Sequence, residues 1–69
     1  MGLPQILGRN VREARKRLGM SQEALALDAN MKRSYVSDLE RGTRNPSVKA
    51  LERLATALNV EPWELLRPS

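Results

Sequence analysis

Apolar residues return along this chain at helical intervals, and each run stops at a residue suited to ending a helix. From residue 5 to 18, Leu7, Val11, Ala14 and Leu18 fall at steps of four, three and four, which makes one stripe of a first helix that Gly19 closes. Ser21 stands where an N-cap belongs, and the spacing predicts a second helix from about Gln22 to Ala29. Asn30 tolerates the left-handed backbone that a tight turn between helices demands. A third helix is expected from about Lys32 to Arg41, ending at Gly42. Leu25, Ala29, Met31, Val36 and Leu39 fall where the second and third helices must share a small core, and the bare methyl of Ala26 lets their backbones approach. Lys32, Arg33, Ser34, Ser37 and Asp38 are left facing outward.

Beyond Gly42 the polar stretch Thr43 to Pro46 reads as a loop, with Pro46-Ser47 a stop followed by an N-cap. Val48, Leu51, Leu54, Ala55 and Leu58 then share one face of a fourth helix, which Asn59-Val60-Glu61 breaks. Pro62 suits the first position of a short fifth helix carrying Trp63, Leu65 and Leu66. No alternating stretch is long enough for a strand, and there is no internal repeat or linker. The expected architecture is a single all-α domain of five helices over residues 1–69, with a compact helix-turn-helix unit at about 21–41.

Composition removes most chemistry. The chain has no Cys and no His, which excludes disulfides and takes away the commonest general base and transition-metal ligands. No metal site, cofactor or catalytic group is expected, since nothing is placed to activate the serines and carboxylates that remain. A chain of 69 residues with no Phe, one Tyr and one Trp must build a thin aliphatic core, so marginal stability or support from a partner subunit is expected. No apolar run reaches the roughly 18 residues that cross a bilayer, and the first residues lack the pattern of a signal peptide, so the expected location is the cytoplasm. The net charge of +4 is uneven. Residues 1–34 hold seven Lys/Arg against three Asp/Glu, whereas residues 35–69 hold five against five. That raises the prospect of a polyanionic partner, although basic faces also bind membrane surfaces and acidic proteins.

With these residues placed, the chain resembles the phage repressor and Cro type of helix-turn-helix domain (lambda-repressor-like, XRE-like), including the small controller-type regulators built on the same fold. The likeness is carried by Arg12 to Arg15 with Gly19, by Ser21-Gln22-Glu23-x-Leu25-Ala26 and by the run from Arg33 through Gly42. Arg44-Asn45-Pro46-Ser47 and Leu54-Ala55-x-Ala57-Leu58-x-Val60 complete it. Lys32 departs from the pattern, which commonly has a Ser or Thr N-cap there, and Asn30 stands where the family usually has Gly.

The resemblance implies a role for each outward residue. The third helix resembles the recognition helix, whose early residues enter the major groove. Arg33 is the best candidate for reading guanine, because its planar fork matches the O6 and N7 acceptors. Ser34 would serve either a base or a phosphate, Ser37 lies one turn further along the base-reading face, and Asp38 would either accept from cytosine N4 or hold Arg33. Gln22 would donate its amide to a phosphate, with a solvated Gln beside a cap as the alternative. Lys32, Arg41, Arg44, Asn45 and the helix entrance at Ser47 would also contact the DNA backbone, setting register and not sequence preference, and Tyr35 would combine packing of its ring over the helix with a hydroxyl contact to a phosphate. Arg15 and Glu40 interrupt apolar faces, and the resemblance makes them a partly buried ion pair tying the first helix to the third, with two independently solvated charges as the alternative. Val60, Trp63, Leu65 and Leu66 would cover the core and supply a two-fold dimer contact.

The function this implies is sequence-specific binding of a double-stranded DNA operator by a homodimeric transcriptional regulator, a repressor or controller, with no small-molecule ligand and no catalysis. The alternative is a protein-interaction module on the same fold, as in an antitoxin.

Overall fold

The computed structural model describes residues 2–68, so Met1 and Ser69, the ends of the expected 1–69 domain, lie outside the described residues. Four α-helices run α1 (Leu3–Arg17), α2 (Gln22–Asp28), α3 (Arg33–Glu40) and α4 (Val48–Leu58), and a 3-10 helix spans Pro62–Leu66. The fifth expected helix is therefore a short 3-10 turn. Pro62 starts it, and the Glu61 N–H donates to the Glu64 carboxylate at 2.8 Å, a local tie that serves a single tight turn. None of the helices among the described residues is long and apolar enough to cross a membrane.

Local chemistry explains where the helices start. Ser21 and Ser47 stand at N-caps in extended backbone, and their hydroxyl oxygens accept from Ala24 N at 3.0 Å and Ala50 N at 3.1 Å. Pro4 sits in the first turn of α1, which begins two residues before the expected residue 5.

All four α-helices end alike. Gly19, Asn30, Gly42 and Asn59 have φ between 58° and 76°, in the left-handed region. The next residue in each case reaches back to the helix: Met20 N to Arg15 O, Met31 N to Ala26 O, Thr43 N to Asp38 O and Val60 N to Ala55 O, at 2.9–3.1 Å. This is the Schellman geometry, in which the residue after the left-handed one folds back over the last turn. Met20, Met31 and Val60 use that position to lay an apolar side chain on the edge of the core.

The core lies between α3 and the other elements. Val36 and Leu39 of α3 are fully buried, with α1 on one side contributing Leu7, Val11 and Ala14 and α2 on the other contributing Leu25 and Ala26. Leu54, Ala55 and Leu58 of α4 complete it, together with Leu65 from the 3-10 helix. Two apolar residues depart from their expected faces. Leu18 is 51% exposed, because α1 stops at Arg17 and the turn at Gly19 brings Met20 to the core instead. Val48, at the first position of α4, is 85% exposed and Ala50 takes the inward place.

Two close approaches hold α1 in place. Gly8 lies against the end of α3, where an added Cβ would sit 2.2 Å from the Leu39 carbonyl oxygen. Near the middle of α1, the Asn10 amide donates to the carbonyls of Leu65 and Arg67, each at 2.9 Å, and so latches the 3-10 helix to α1.

Candidate nucleic-acid interface

The helix α3 buries one edge and offers the other. Arg33 and Ser34 are exposed in its first turn, and with the half-buried Ser37 and Asp38 and the exposed Arg41 they line one shared concavity on its outer side. An eight-residue helix is about 12 Å long, short enough for its whole outer face to lie within a groove of that width. Lys32 occupies the N-cap in extended backbone but supplies no side-chain cap, unlike Ser21 and Ser47. The expected loss of a cap is thus present, a cost of about 1 kcal/mol at the start of the helix.

What holds this helix at a set angle is a polar cluster beneath its far end. Arg15 Nε donates to Glu40 Oε2 at 2.7 Å and Nη2 to Oε1 at 3.0 Å, while Nη1 reaches the Met20 carbonyl at 2.9 Å. The two side chains are only 11% and 6% exposed, so α1 and α3 are joined by a bidentate pair largely shielded from water. The hydrogen bond to Glu40 raises the Arg15 pKa above its ordinary value against the opposing effect of burial, and the attraction of the carboxylate raises it further. Gln22, the first residue of α2, joins the same cluster, its Nε2 donating to Glu40 Oε1 at 3.1 Å. One carboxylate therefore ties three helices together. The family resemblance paired Arg15 with Glu40, whereas Gln22 was expected at a phosphate or in solvent, and its bond to the same carboxylate has no signature in spacing.

A second, more exposed cluster flanks α3. Asp38 does not hold Arg33; its carboxylate takes a hydrogen bond from Arg41 Nη2 and lies 3.6 Å from Arg44 Nη2. Arg41 also donates to Ser37 Oγ at 3.3 Å, and the Arg44 guanidinium stacks over the Tyr35 ring, 4.6 Å from its centroid. Tyr35 is half-buried with its ring against the core, so it forms a platform for Arg44 at the edge of the helix. Asn45 and Ser47 are exposed in the loop that enters α4.

The surface expected to pair two copies divides. Trp63 is 60% exposed and Val60 and Leu66 are half-buried, whereas Leu65 is 1% exposed and belongs to the core of its own chain. Leu65 turns inward because the 3-10 helix is latched by Asn10 and can bury only one of its two adjacent leucines completely. Arg67 lies over the Trp63 ring at 5.7 Å, leaving much of the indole open to solvent.

A family model described as helix-turn-helix matches residues 11–65. The control protein C.BamHI of Bacillus amyloliquefaciens is 45% identical over 62 residues, which is 88% of this chain and 76% of that protein. Among solved structures, the restriction-modification controller protein C.AhdI from Aeromonas hydrophila superimposes with a TM-score of 0.87 at 47% identity, over 90% of this chain and 94% of that one. A hypothetical transcription factor, NHTF, from Neisseria superimposes with a TM-score of 0.93 at 39% identity, over 97% and 77%.

Proposed function

The chain belongs to the helix-turn-helix family, and from that premise we propose that it is a sequence-specific transcriptional regulator of the controller type, binding a two-fold-related operator in double-stranded DNA as a homodimer. The observation that carries this reading is the outer face of α3. It presents Arg33, Ser34 and Ser37 between the cations Lys32, Arg41 and Arg44, on a helix braced from behind by Glu40. The mechanism is occupancy. Phosphate contacts from Lys32, Tyr35, Arg41, Arg44, Asn45 and Ser47, with the second amide hydrogen of Gln22, supply affinity, and α3 reads base edges in the major groove. Bound protein then blocks or recruits polymerase, and no bond is made or broken.

Selection of bound duplexes from a random pool tests the reading directly. A recurring site with two-fold symmetry is expected, and its affinity should fall steeply with salt as condensed counterions are replaced. Arg33→Ala should cost about 1–3 kcal/mol of discrimination at one position of each half-site, while Arg44→Ala weakens binding to all sequences by a similar factor. Equal losses on selected and random duplexes for both variants would contradict these roles.

Dimerisation rests on size and on the exposed indole. The body measures 27 × 20 × 20 Å, so one copy spans only part of a helical turn of duplex, which is about 34 Å. A two-fold partner meeting it through Trp63, Val60 and Leu66 would place a second α3 one turn away and make the second engagement intramolecular. Trp63→Ala should then weaken self-association and operator binding together while leaving the circular dichroism unchanged. A wild-type monomer at high concentration in sedimentation, with selected sites lacking two-fold symmetry, would sink the dimer model.

A further inference from the structure

The outer face of α3 contains a carboxylate where a polyanion is meant to approach. Asp38 is surrounded by cations: Arg41 Nη2 is bonded to Oδ1, and Arg44 Nη2 is 3.6 Å from Oδ2, so each oxygen faces its own guanidinium. Both cations are drawn along the helix, Arg41 also by Ser37 Oγ and Arg44 also by the Tyr35 ring. The side chains of Arg41 and Arg44 remain 63% and 47% exposed. Pairs this exposed are weak, so a phosphate can compete for the arginines. The arrangement is a restraint and not a lock.

Resting on the DNA-binding reading above, we propose that Asp38 is a positioning residue for selectivity: it holds Arg41 and Arg44 back and thereby weakens attraction to duplex of any sequence more than attraction to the operator. The difference comes from what the carboxylate meets in the groove. Beside an exocyclic amino group, on cytosine N4 or adenine N6, it gains a donor that offsets its repulsion by the phosphates. Beside N7 of guanine or O4 of thymine it meets an acceptor, the base does nothing to offset its charge, and the arginines remain drawn toward it and away from the phosphates. A single negative charge thus penalises wrong sequences, a function distinct from supplying affinity.

The test compares wild type with Asp38→Asn, which keeps the shape and removes the charge. Each is titrated over a range of salt against a duplex selected from a random pool by the wild-type protein and against a random-sequence duplex of equal length. On random DNA the variant should bind about fivefold more tightly, with a slope of log affinity against log salt steeper by about 1 as freed cations engage phosphates. On the selected duplex it should gain less or lose affinity, so the ratio of the two affinities falls. The gain on random DNA should largely vanish in an Arg41→Ala/Arg44→Ala background, which separates restraint of these cations from direct repulsion. An equal gain on both duplexes, a loss on both, or a gain that persists in full without the two arginines would overturn the proposal while leaving the regulator reading intact. Wild-type protein that shows neither salt-dependent binding nor sequence preference would overturn that reading, and this proposal with it.

Discussion

Gly8→Ala is expected to destabilise the domain by about 3 kcal/mol, one of the largest effects of any single methyl group in the chain. Alanine is the better helix former by about 1 kcal/mol, so a glycine within a helix ordinarily gains from this substitution. Here packing decides the sign. The new Cβ would lie 2.2 Å from the Leu39 carbonyl oxygen and 3.0 Å from that of Glu40, and both obstacles are backbone. No side chain can swing aside, so α1 must move away from α3, opening the contact that buries Leu7, Val11, Val36 and Leu39. A domain of this size has only a few kcal/mol in reserve, and the loss should lower the melting temperature by roughly 15 °C. Thermal unfolding followed by circular dichroism measures this. A melting temperature equal to or above wild type would mean that α1 and α3 do not cross so closely.

The second large effect should come from Glu40→Ala, with a loss of about 3 kcal/mol in denaturant unfolding. Removing this carboxylate leaves Arg15 mostly shielded from water with only the Met20 carbonyl as partner, and releases the Gln22 amide as well. Breaking such a pair on one side strands the remaining charge, whereas replacing both partners by apolar groups of similar size removes the stranded charge altogether. Arg15→Met combined with Glu40→Leu should therefore cost less than Glu40→Ala alone. If the double replacement is the worse of the two, the pair contributes more than its desolvation costs, and the expectation is wrong. Because Arg15 already titrates far above neutrality and its pKa is raised, its contribution is fully present at neutral pH and is lost only as pH climbs through that raised value. Arg15 thus adds no pH dependence to stability in the physiological range. The exposed Asp38–Arg41 pair makes a useful contrast, since its removal should change stability by no more than about 1 kcal/mol.

These two effects also bear on DNA binding. Gly8 packs against the end of α3 and Glu40, its last residue, ties it to Arg15 of α1, so both bear on the angle at which Arg33, Ser34 and Ser37 are presented. Glu40 further fixes the rotamer of Gln22 through one amide hydrogen, leaving the other to donate elsewhere.

What the amino-acid sequence determined by itself were the features that depend on neighbours within about one helical turn. Ser21 and Ser47 cap helices through bonds that span three residues, and Gly19, Asn30, Gly42 and the break at Asn59 end them through bonds that span five. The apolar stripes follow from helical periodicity alone, and they fail only at Leu18 and Val48, at helix ends where the chain's path changes what lies opposite. The polar, outward face of α3 was legible for the same reason. Tertiary structure decided everything that depends on which distant surfaces meet. Gly8 matters only because α1 crosses α3 there, and Asn10 only because Leu65 and Arg67, more than 50 residues later, bring their carbonyls to it. Leu65 turns inward while Trp63 stays out, Gln22 shares the carboxylate of Glu40, and Asp38 faces Arg41 and Arg44 in preference to Arg33. Arg15 and Glu40 lie between these cases, since two charges interrupting apolar faces are visible in sequence, but their contact exists only once packing of α1 on α3 brings them within 2.7 Å. Spacing along one helix constrains which side chains share a face, whereas the partner of that face is set by packing between helices, where a single small residue or carboxylate selects the crossing.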